Sequence, residues 1–249
     1  MVKRLGKNLI VLAFWLCLWA FLARLVDREL LLPGPLAVLR RLAALVVTGE
    51  FWRTTLMSLW RILWGAAAGV ALGAGLAVLT SASRLLRELL SPLLTIIRST
   101  PVASFILLVL IWVGRDTVPS VIVILMVSPV VWANTAAGIR GADPLLLEMA
   151  RIYRFGRWRT VRRVYIPAVL PHFLSACQTS LGLAWKAGVA AEVLTVPVLS
   201  IGKRLYESKL YLETVDLFAW TVVVVLLSLV IEKLLTTVLG RIRTGGDRL

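Results

Sequence analysis

The sequence predicts an all-α integral membrane protein with about six transmembrane helices. Of its 249 residues, 59% are hydrophobic and the mean hydropathy is +0.89, whereas a soluble domain is about 45–50% apolar. Six apolar stretches approach the roughly 20 residues that a helix needs to cross a bilayer. They are continuous runs without the period-two alternation of a membrane barrel. Helix follows because lipid offers no partner to a free backbone N–H or C=O group.

The six predicted spans divide the chain into segments. They cover residues 9–25, 56–80, 89–113, 118–139, 168–194 and 217–239. The first apolar stretch is too long for a typical signal peptide, so we expect it to be retained. The expected organisation is a first helix with its N-terminus in 1–30, an external amphipathic segment in 31–55, a transmembrane core in 56–240 that includes a polar loop at 140–167, and a tail in 241–249.

The charge distribution predicts the orientation of these spans. Lys and Arg number 28 and Asp and Glu 13, a net charge of +15. With the N-terminus inside, the inner segments carry 15 basic residues and the outer segments 8, and cytoplasmic loops are enriched in Lys and Arg. Both termini and the polar loop are therefore predicted to be cytoplasmic. No basic domain stands apart from the apolar spans, which argues against nucleic-acid binding.

Small and polar residues mark the second and third spans. Gly65, Gly69 and Gly73 recur every four residues, which predicts close backbone contact with another helix whose identity the sequence leaves open. In the third span, a proline follows a cation in the run Arg98, Ser99, Thr100 and Pro101. Proline breaks a helix and a cation rarely faces lipid. The break is either a passive kink or, as the cation favours, part of a pathway or gate.

The fifth span carries two ionisable residues, Lys186 and Glu192, among many small and hydroxyl side chains. Ionisable groups at membrane depth usually face a bundle interior or a water-filled cavity. Arg61 and Arg98 are candidate partners for Glu192. Contact with a pathway and purely structural pairing remain open alternatives. The sequence shows no nucleophile–base pair and no metal-ligand cluster, so we expect no catalytic residue and no metal site.

The polar loop is the most distinctive segment. It contains six arginines between residues 141 and 165. Asp143-Pro144 has the pattern of a helix N-cap followed by a first-turn proline. We expect a short helix, a turn at Gly156-Arg157 and a second helix on the membrane surface. Its aromatic side chains are predicted to press into a groove on a partner; they are Tyr153, Phe155 and Trp158.

This loop resembles the EAA loop of bacterial ABC importer permeases. Glu148-Met149-Ala150, a basic stretch and then Val164-Tyr165-Ile166-Pro167 carry the likeness. The strings LLPGPLAVLRRL, RSTPVASFILLVLIWVG and AAEVL…LSIG resemble the nitrate/sulfonate/taurine branch in order and spacing. The resemblance covers about residues 31–240. It implies a MetI-like type I permease bundle in a bacterial plasma membrane, with a cytoplasmic coupling-helix loop.

The resemblance further implies a transport subunit that is not itself an enzyme. Two copies, expected to be a homodimer, would form the solute pathway. ABC ATPase subunits would hold the ATP and Mg²⁺, and an extracytoplasmic binding protein would deliver a small solute, possibly anionic. The implied ATPase-coupling residues are Glu148, Met149, Ala150, Tyr153, Arg154, Phe155, Gly156, Arg157 and Trp158, with Ile166 and Pro167 closing the loop.

The chain departs from the family pattern at two positions of the loop. Arg154 stands where a glycine is usual and Met149 where an alanine is usual, so either the turn is shifted or Gly156 supplies its geometry. The sequence does not identify the solute. The main alternative function is an ion-gradient-coupled secondary transporter that uses Lys186 and Glu192 as coupling groups.

Overall fold

The computed structural model describes residues 2–246, with the side chains of residues 10, 11 and 13–238. Within this part the chain forms helices and no β-strand, which confirms the all-α prediction. The helices are α1 Val2–Val26, α2 Pro35–Val46, α3 Gly49–Ala82, α4 Arg84–Ser99, α5 Val102–Trp112, α6 Val118–Arg140, α7 Pro144–Ile152, α8 Arg157–Thr160, a π-helical turn Val161–Tyr165, α9 Ile166–Thr195, α10 Ile201–Leu210 and α11 Thr214–Gly246.

The prediction of six spans is confirmed only in part. Of the described helices, α3, α6 and α11 are long and apolar enough to cross a membrane, and α4 with α5 makes a fourth if the bent pair counts as one span. The apolar part of α1, Ala13–Val26, is shorter. The 30 residues of α9 are long enough. It is not among the spans because its small, hydroxyl and ionisable residues lower its hydropathy.

The predicted third span is broken, as the proline indicated. α4 ends at Ser99 and α5 begins at Val102, and the two axes are bent by 111°. Thr100 is extended, with ψ of 135°, because proline disfavours helix at the residue before it. Of the two alternatives at Pro101, the structure shows a break, and the first of the two helices begins earlier than predicted, at Arg84. α4 is amphipathic, with a polar face formed by Arg84, Arg87, Glu88, Ser91, Thr95 and Arg98.

The centre of the bundle is the packing of α3, α6 and α9. The three glycines of α3 face α6, which names the partner helix that the sequence left open. A Cβ atom on Gly73 would lie 2.5 Å from the Ser128 carbonyl oxygen of α6, and one on Gly65 2.7 Å from the Ser120 carbonyl oxygen. Gly188 of α9 makes room for the side chain of Ile62 of α3, since a Cβ atom on Gly188 would lie 2.6 Å from Ile62 Cγ1. Without Cβ atoms, these backbones approach closely enough to gain dense van der Waals contact.

The predicted external segment folds back onto the bundle. The amphipathic helix α2 is tied to the start of α11, where Arg41 Nη2 donates to Asp216 Oδ2 at 2.7 Å. This hydrogen bond raises the pKa of the Arg41 guanidinium. Trp19 Nε1 donates to the Pro33 carbonyl oxygen at 3.1 Å, which ties α1 to the same region. α3 already begins at Gly49, so the predicted boundary at residue 55 lies inside a helix.

The glycine contact between α3 and α6 can be tested with a matched pair on one helix. Gly73→Ala places its new methyl group against the α6 backbone, and we expect it to destabilise the protein by about 1–3 kcal/mol because α3 and α6 must separate. Gly75→Ala meets no atom within 4 Å and should be neutral or slightly stabilising, since alanine favours helix. Thermal unfolding in one detergent measures both. Equal midpoints for the two variants would contradict the assigned contact.

Candidate functional site

One face of α9 is polar and exposed over most of its length. Its exposed residues recur every three or four positions and include Ser175, Gln178, Thr179, Gly182 and Lys186. We call this stripe the α9 polar face. A helix that faced lipid here would leave an ammonium and an amide without partners in hydrocarbon. The α9 polar face therefore faces water or another protein surface in the membrane.

The α9 polar face borders a groove against α11. This α9–α11 groove has a volume of about 450 Å³, and Lys186 lines it from α9. Polar residues line it from α11 at every fourth position: Ser228, Glu232 and Thr236. Sequence reasoning missed Glu232. Its signal was present, because it is a lone carboxylate within the long apolar stretch of the last predicted span.

Glu192 lies elsewhere, in a buried cluster. Its side chain is 0% exposed. One carboxylate oxygen, Oε2, accepts hydrogen bonds from Ser58 Oγ at 2.7 Å and from the Gly202 backbone N–H at 3.2 Å. The other, Oε1, lies 3.6 Å from Arg61 Nη1. Of the two candidate partners, Arg61 is thus the one that Glu192 meets.

The same cluster fixes the connection between α9 and α10. Arg61 donates to the carbonyl oxygens of Val198 at 2.6 Å and Leu199 at 3.1 Å. Asp116 accepts the Val198 N–H at 2.7 Å. Val196 and Leu199 both have φ of 50°, a left-handed conformation that is costly for non-glycine residues and persists only where surrounding contacts enforce it.

This arrangement corrects the grouping of Glu192 with pathway residues. The carboxylate is enclosed by Ser58, Arg61 and Gly202, and a Cβ atom on Gly202 would lie only 2.3 Å from the Glu192 Cβ. The AAEVL…LSIG pattern is therefore explained by packing, because the glycine makes room for the glutamate. In this structure the role of Glu192 is to hold α3, α9 and α10 together.

The residues of the broken third span lie at a different place. Arg98, Ser99 and Pro101 are exposed and Thr100 is half-buried at the bend between α4 and α5. The hydroxyls of Ser99 and Thr100 both donate to the Ile96 carbonyl oxygen, at 3.1 and 2.8 Å. Arg98 forms no ion pair with any side chain that the structure describes. The bend thus presents a free cation beside two hydroxyls.

The polar loop forms the short helix that its sequence indicates. Asp143 Oδ1 accepts the Leu145 N–H at 2.9 Å, so it caps α7. Large apolar side chains cover the outer side of α7 and are exposed: Leu145 72%, Leu146 43%, Met149 47%, Ile152 78% and Tyr153 69%. Glu148 is exposed beside them, whereas Ala150 is buried. We call this exposed surface the α7 apolar face.

The turn after α7 is made by Arg154 rather than by Gly156. Arg154 has φ of 48°, while Gly156 is extended with φ of −62°. The Phe155 N–H donates to the Ala150 carbonyl oxygen at 2.8 Å and the Arg154 N–H to the Arg151 carbonyl oxygen at 3.0 Å. This is the Schellman pattern of helix termination, whose left-handed residue is usually glycine. The turn has not shifted, and an arginine adopts the glycine conformation.

The aromatic residues of the loop divide into two groups. Trp158 is 74% exposed, like Tyr153. Phe155 is half-buried, and the guanidinium groups of Arg159 and Arg163 lie 5.6 and 6.0 Å from its ring centroid. Cations stacked on a ring hold it in place, so Phe155 supports the loop and is not part of the outer surface. Arg157, Ile166 and Pro167 are exposed beyond it, where the loop enters α9.

The family assignment agrees with this architecture. Residues 69–243 match the family described as the binding-protein-dependent transport system inner membrane component. The chain belongs to this family and is a permease of the ABC importer class, a multi-pass protein of a bacterial plasma membrane. As a permease it is a transport subunit and not an enzyme. The family assignment therefore argues against the secondary transporter.

Relatives place the chain in the sulfonate/taurine/nitrate branch. The putative aliphatic sulfonates transport permease protein of Bacillus subtilis is 29% identical over 226 residues, 89% of this chain and 81% of that protein. The taurine transport system permease protein of Escherichia coli is 23% identical over 234 residues, 92% of this chain and 84% of that one. The crystal structure of an amino acid ABC transporter with histidines matches with a TM-score of 0.62 at 20% identity, over 78% of this chain and 91% of that chain. The MetNI methionine ABC transporter in an inward-facing conformation matches with a TM-score of 0.56 at 20% identity, over 78% of this chain and 93% of that chain, so the helical fold is MetI-like.

The left-handed Arg154 can be tested by substitution. Arg154→Gly should stabilise the end of α7 by about 1 kcal/mol, because an L-residue pays a steric cost in this conformation that glycine does not. Hydrogen exchange of the Phe155 amide should then slow about fivefold. Arg157→Gly is the control, since Arg157 is helical and glycine there should not slow exchange. Faster exchange in Arg154→Gly would contradict the assigned turn.

Proposed function

We propose that the chain forms the solute pathway of an ATP-driven importer as a homodimer and couples to a cytoplasmic ATPase through the loop around Glu148–Trp158. The observation that carries this proposal is the α7 apolar face. Four large apolar side chains are exposed on one nine-residue helix and a fifth, Tyr153, is exposed at its C-cap, in a loop that is rich in arginine. Contiguous exposed apolar surface rimmed by charge is typical of a protein–protein contact.

The local structure suits a docking element that transmits force. Asp143 fixes the beginning of α7 and the Schellman turn fixes its end, so the helix moves as one piece. After the turn, α8 and the π-helical turn continue into α9 within a few residues. A displacement of α7 by an ATPase subunit would therefore be passed to α9. ATP and Mg²⁺ would be held by that partner, and this chain contributes no catalytic group.

The α9 polar face supports the pathway part of the proposal. A polar helix surface that is open in one chain must meet water or a second chain in the bilayer. A second copy that faced it would enclose an aqueous route between the two. Lys186 would lie on this route, and the bend at Arg98, Ser99, Thr100 and Pro101 is a candidate gate, because a break exposes backbone polar groups only where a cavity solvates them.

The remaining partners and the orientation follow from the same assembly. The basic loop and both termini would lie in the cytoplasm, as the positive-inside count indicates. An extracytoplasmic binding protein would deliver a small solute at the opposite face. The relatives named for aliphatic sulfonates and for taurine, together with Lys186 and Arg98, favour a solute that carries an anionic group.

ATP-driven uptake tests the coupling role. Ile152→Glu places a charge at the centre of the α7 apolar face, where the side chain is 78% exposed and the fold should be unaffected. We expect uptake into proteoliposomes, reconstituted with the ATPase and binding protein, to fall at least about tenfold and co-purification with the ATPase to weaken. Val47→Glu is the control, since Val47 is 87% exposed and lies outside the loop. Unchanged uptake and co-purification in Ile152→Glu would refute the docking role.

A further inference from the structure

The α9–α11 groove holds one cationic and one anionic side chain at membrane depth. Lys186 and Glu232 both line it and both are exposed. Neither forms an ion pair with a side chain in the described part of the protein. An unpaired charge between two membrane helices is costly unless water or a ligand of opposite charge solvates it. The groove therefore suits water or an occupant that carries both signs of charge.

The register of the two helices sets the spacing of these charges. Trp185 Nε1 donates to the Val224 carbonyl oxygen at 3.2 Å, so these two residues lie side by side. From this contact, earlier residues of α9 share the groove with later residues of α11, so the two helices are antiparallel. Counted from this contact, Lys186 and Glu232 are offset by nine residues, or about 13.5 Å along the axis at 1.5 Å per residue. Helical side chains lean toward the N-terminus of their own helix. Because the helices run in opposite directions, the ammonium and the carboxylate lean toward each other across this gap.

The hydroxyl groups on the walls of the groove are already partly satisfied. The Thr179 hydroxyl donates to the Ser175 carbonyl oxygen at 3.1 Å and the Thr236 hydroxyl to the Glu232 carbonyl oxygen at 2.9 Å. Because each hydroxyl already donates its hydrogen, it can only accept a hydrogen bond from an occupant. Leu181, Ile231 and Leu235 add apolar surface to the lining. A short molecule with charged ends and an apolar spacer matches this arrangement.

We propose that the α9–α11 groove binds a small zwitterion, with its anionic group on Lys186 and its cationic group on Glu232. The proposal rests on the proposed function, since it names the class of solute that the pathway would accept. A simple anion would satisfy Lys186 but would leave Glu232 unpaired and would be repelled by it. A zwitterion satisfies both through charge-assisted hydrogen bonds. The groove volume of about 450 Å³ has room for a molecule of the size of taurine.

Equilibrium binding of a matched pair of compounds tests this site. The probes are taurine and ethanesulfonate, which share the sulfonate but differ in the ammonium group. Binding is measured on the purified permease–ATPase complex without nucleotide. We expect the wild-type complex to bind taurine with about tenfold or more higher affinity than ethanesulfonate, because taurine can form one more charge-assisted hydrogen bond. Glu232→Gln should remove this preference, and Lys186→Gln should weaken the binding of both compounds.

Lys233→Gln is the control, because Lys233 is exposed next to Glu232 but does not line the groove. It should leave the preference for taurine unchanged. Co-elution of each variant with the ATPase verifies that the complex is intact. Retention of the taurine preference in Glu232→Gln would overturn the proposal. Since the assay needs no coupling, its failure is distinct from a failure of the α7 docking experiment.

The head group of phosphatidylethanolamine carries the same pair of charges as taurine. Mass spectrometry of the purified complex distinguishes the two sources of the zwitterion. Taurine binding to a complex free of this lipid assigns the groove to a free solute. Retention of phosphatidylethanolamine by the wild type but not by Glu232→Gln, with no taurine bound, assigns it to a lipid head group. If the wild type binds neither, or binds taurine and ethanesulfonate alike and retains no such lipid, the proposal is wrong.

Discussion

The hydrocarbon core of a bilayer offers no hydrogen-bond partner, and this constraint orders the whole molecule. Every polar group within the bundle must be paired inside the protein or must face water. Arg61 and Glu192 meet the constraint by pairing, together with Ser58 and the backbone of the α9–α10 connection. The glycines of α3 add close backbone contact with α6, where van der Waals packing holds the helices together.

Two surfaces of the chain do not suit the solvent that would surround them in an isolated copy. The α9 polar face is too polar for lipid, and the α7 apolar face is too apolar for water. Both belong to a continuous path of helix, because the loop runs from α7 through the Arg154 turn and the π-helical turn into α9. The far end of α9 is fixed by Glu192 to α3 and α10. A movement of the loop would therefore act on a helix whose outer end is held.

The sequence was sufficient for features that depend on local chemistry. The proline break of the third span, the Asp143 cap and the small-residue face of α3 each follow from residues adjacent in the chain or one helical turn apart. The helical class followed from hydropathy. The loop was recognisable because its motif is short and contiguous. Even the choice of α6 as the partner of α3 was beyond the sequence, since several helices could have received the glycines.

Features that depend on which groups meet across the fold could not be predicted. Glu192 and Lys186 looked alike as ionisable residues of one span, yet one is enclosed by Arg61 and Ser58 and the other is open to a groove. Glu232 is visible in the sequence as a lone carboxylate in an apolar span, but only the fold shows that it lies across the groove from the α9 polar face. Arg154 was a departure from a pattern. Its positive φ shows that the left-handed conformation usual for glycine is retained at this position, although the residue is an arginine.

The central claim is that the α9 polar face lines an aqueous route in the assembled transporter. Cysteine accessibility in native membranes measures this most directly, after Cys17 and Cys177 are replaced by serine. Ser175→Cys and Gly182→Cys lie on the α9 polar face, and Val230→Cys lies on the exposed apolar side of α11. We expect a charged, water-soluble thiol reagent to modify the first two cysteines and to spare the third. Equal protection of all three cysteines would contradict the claim.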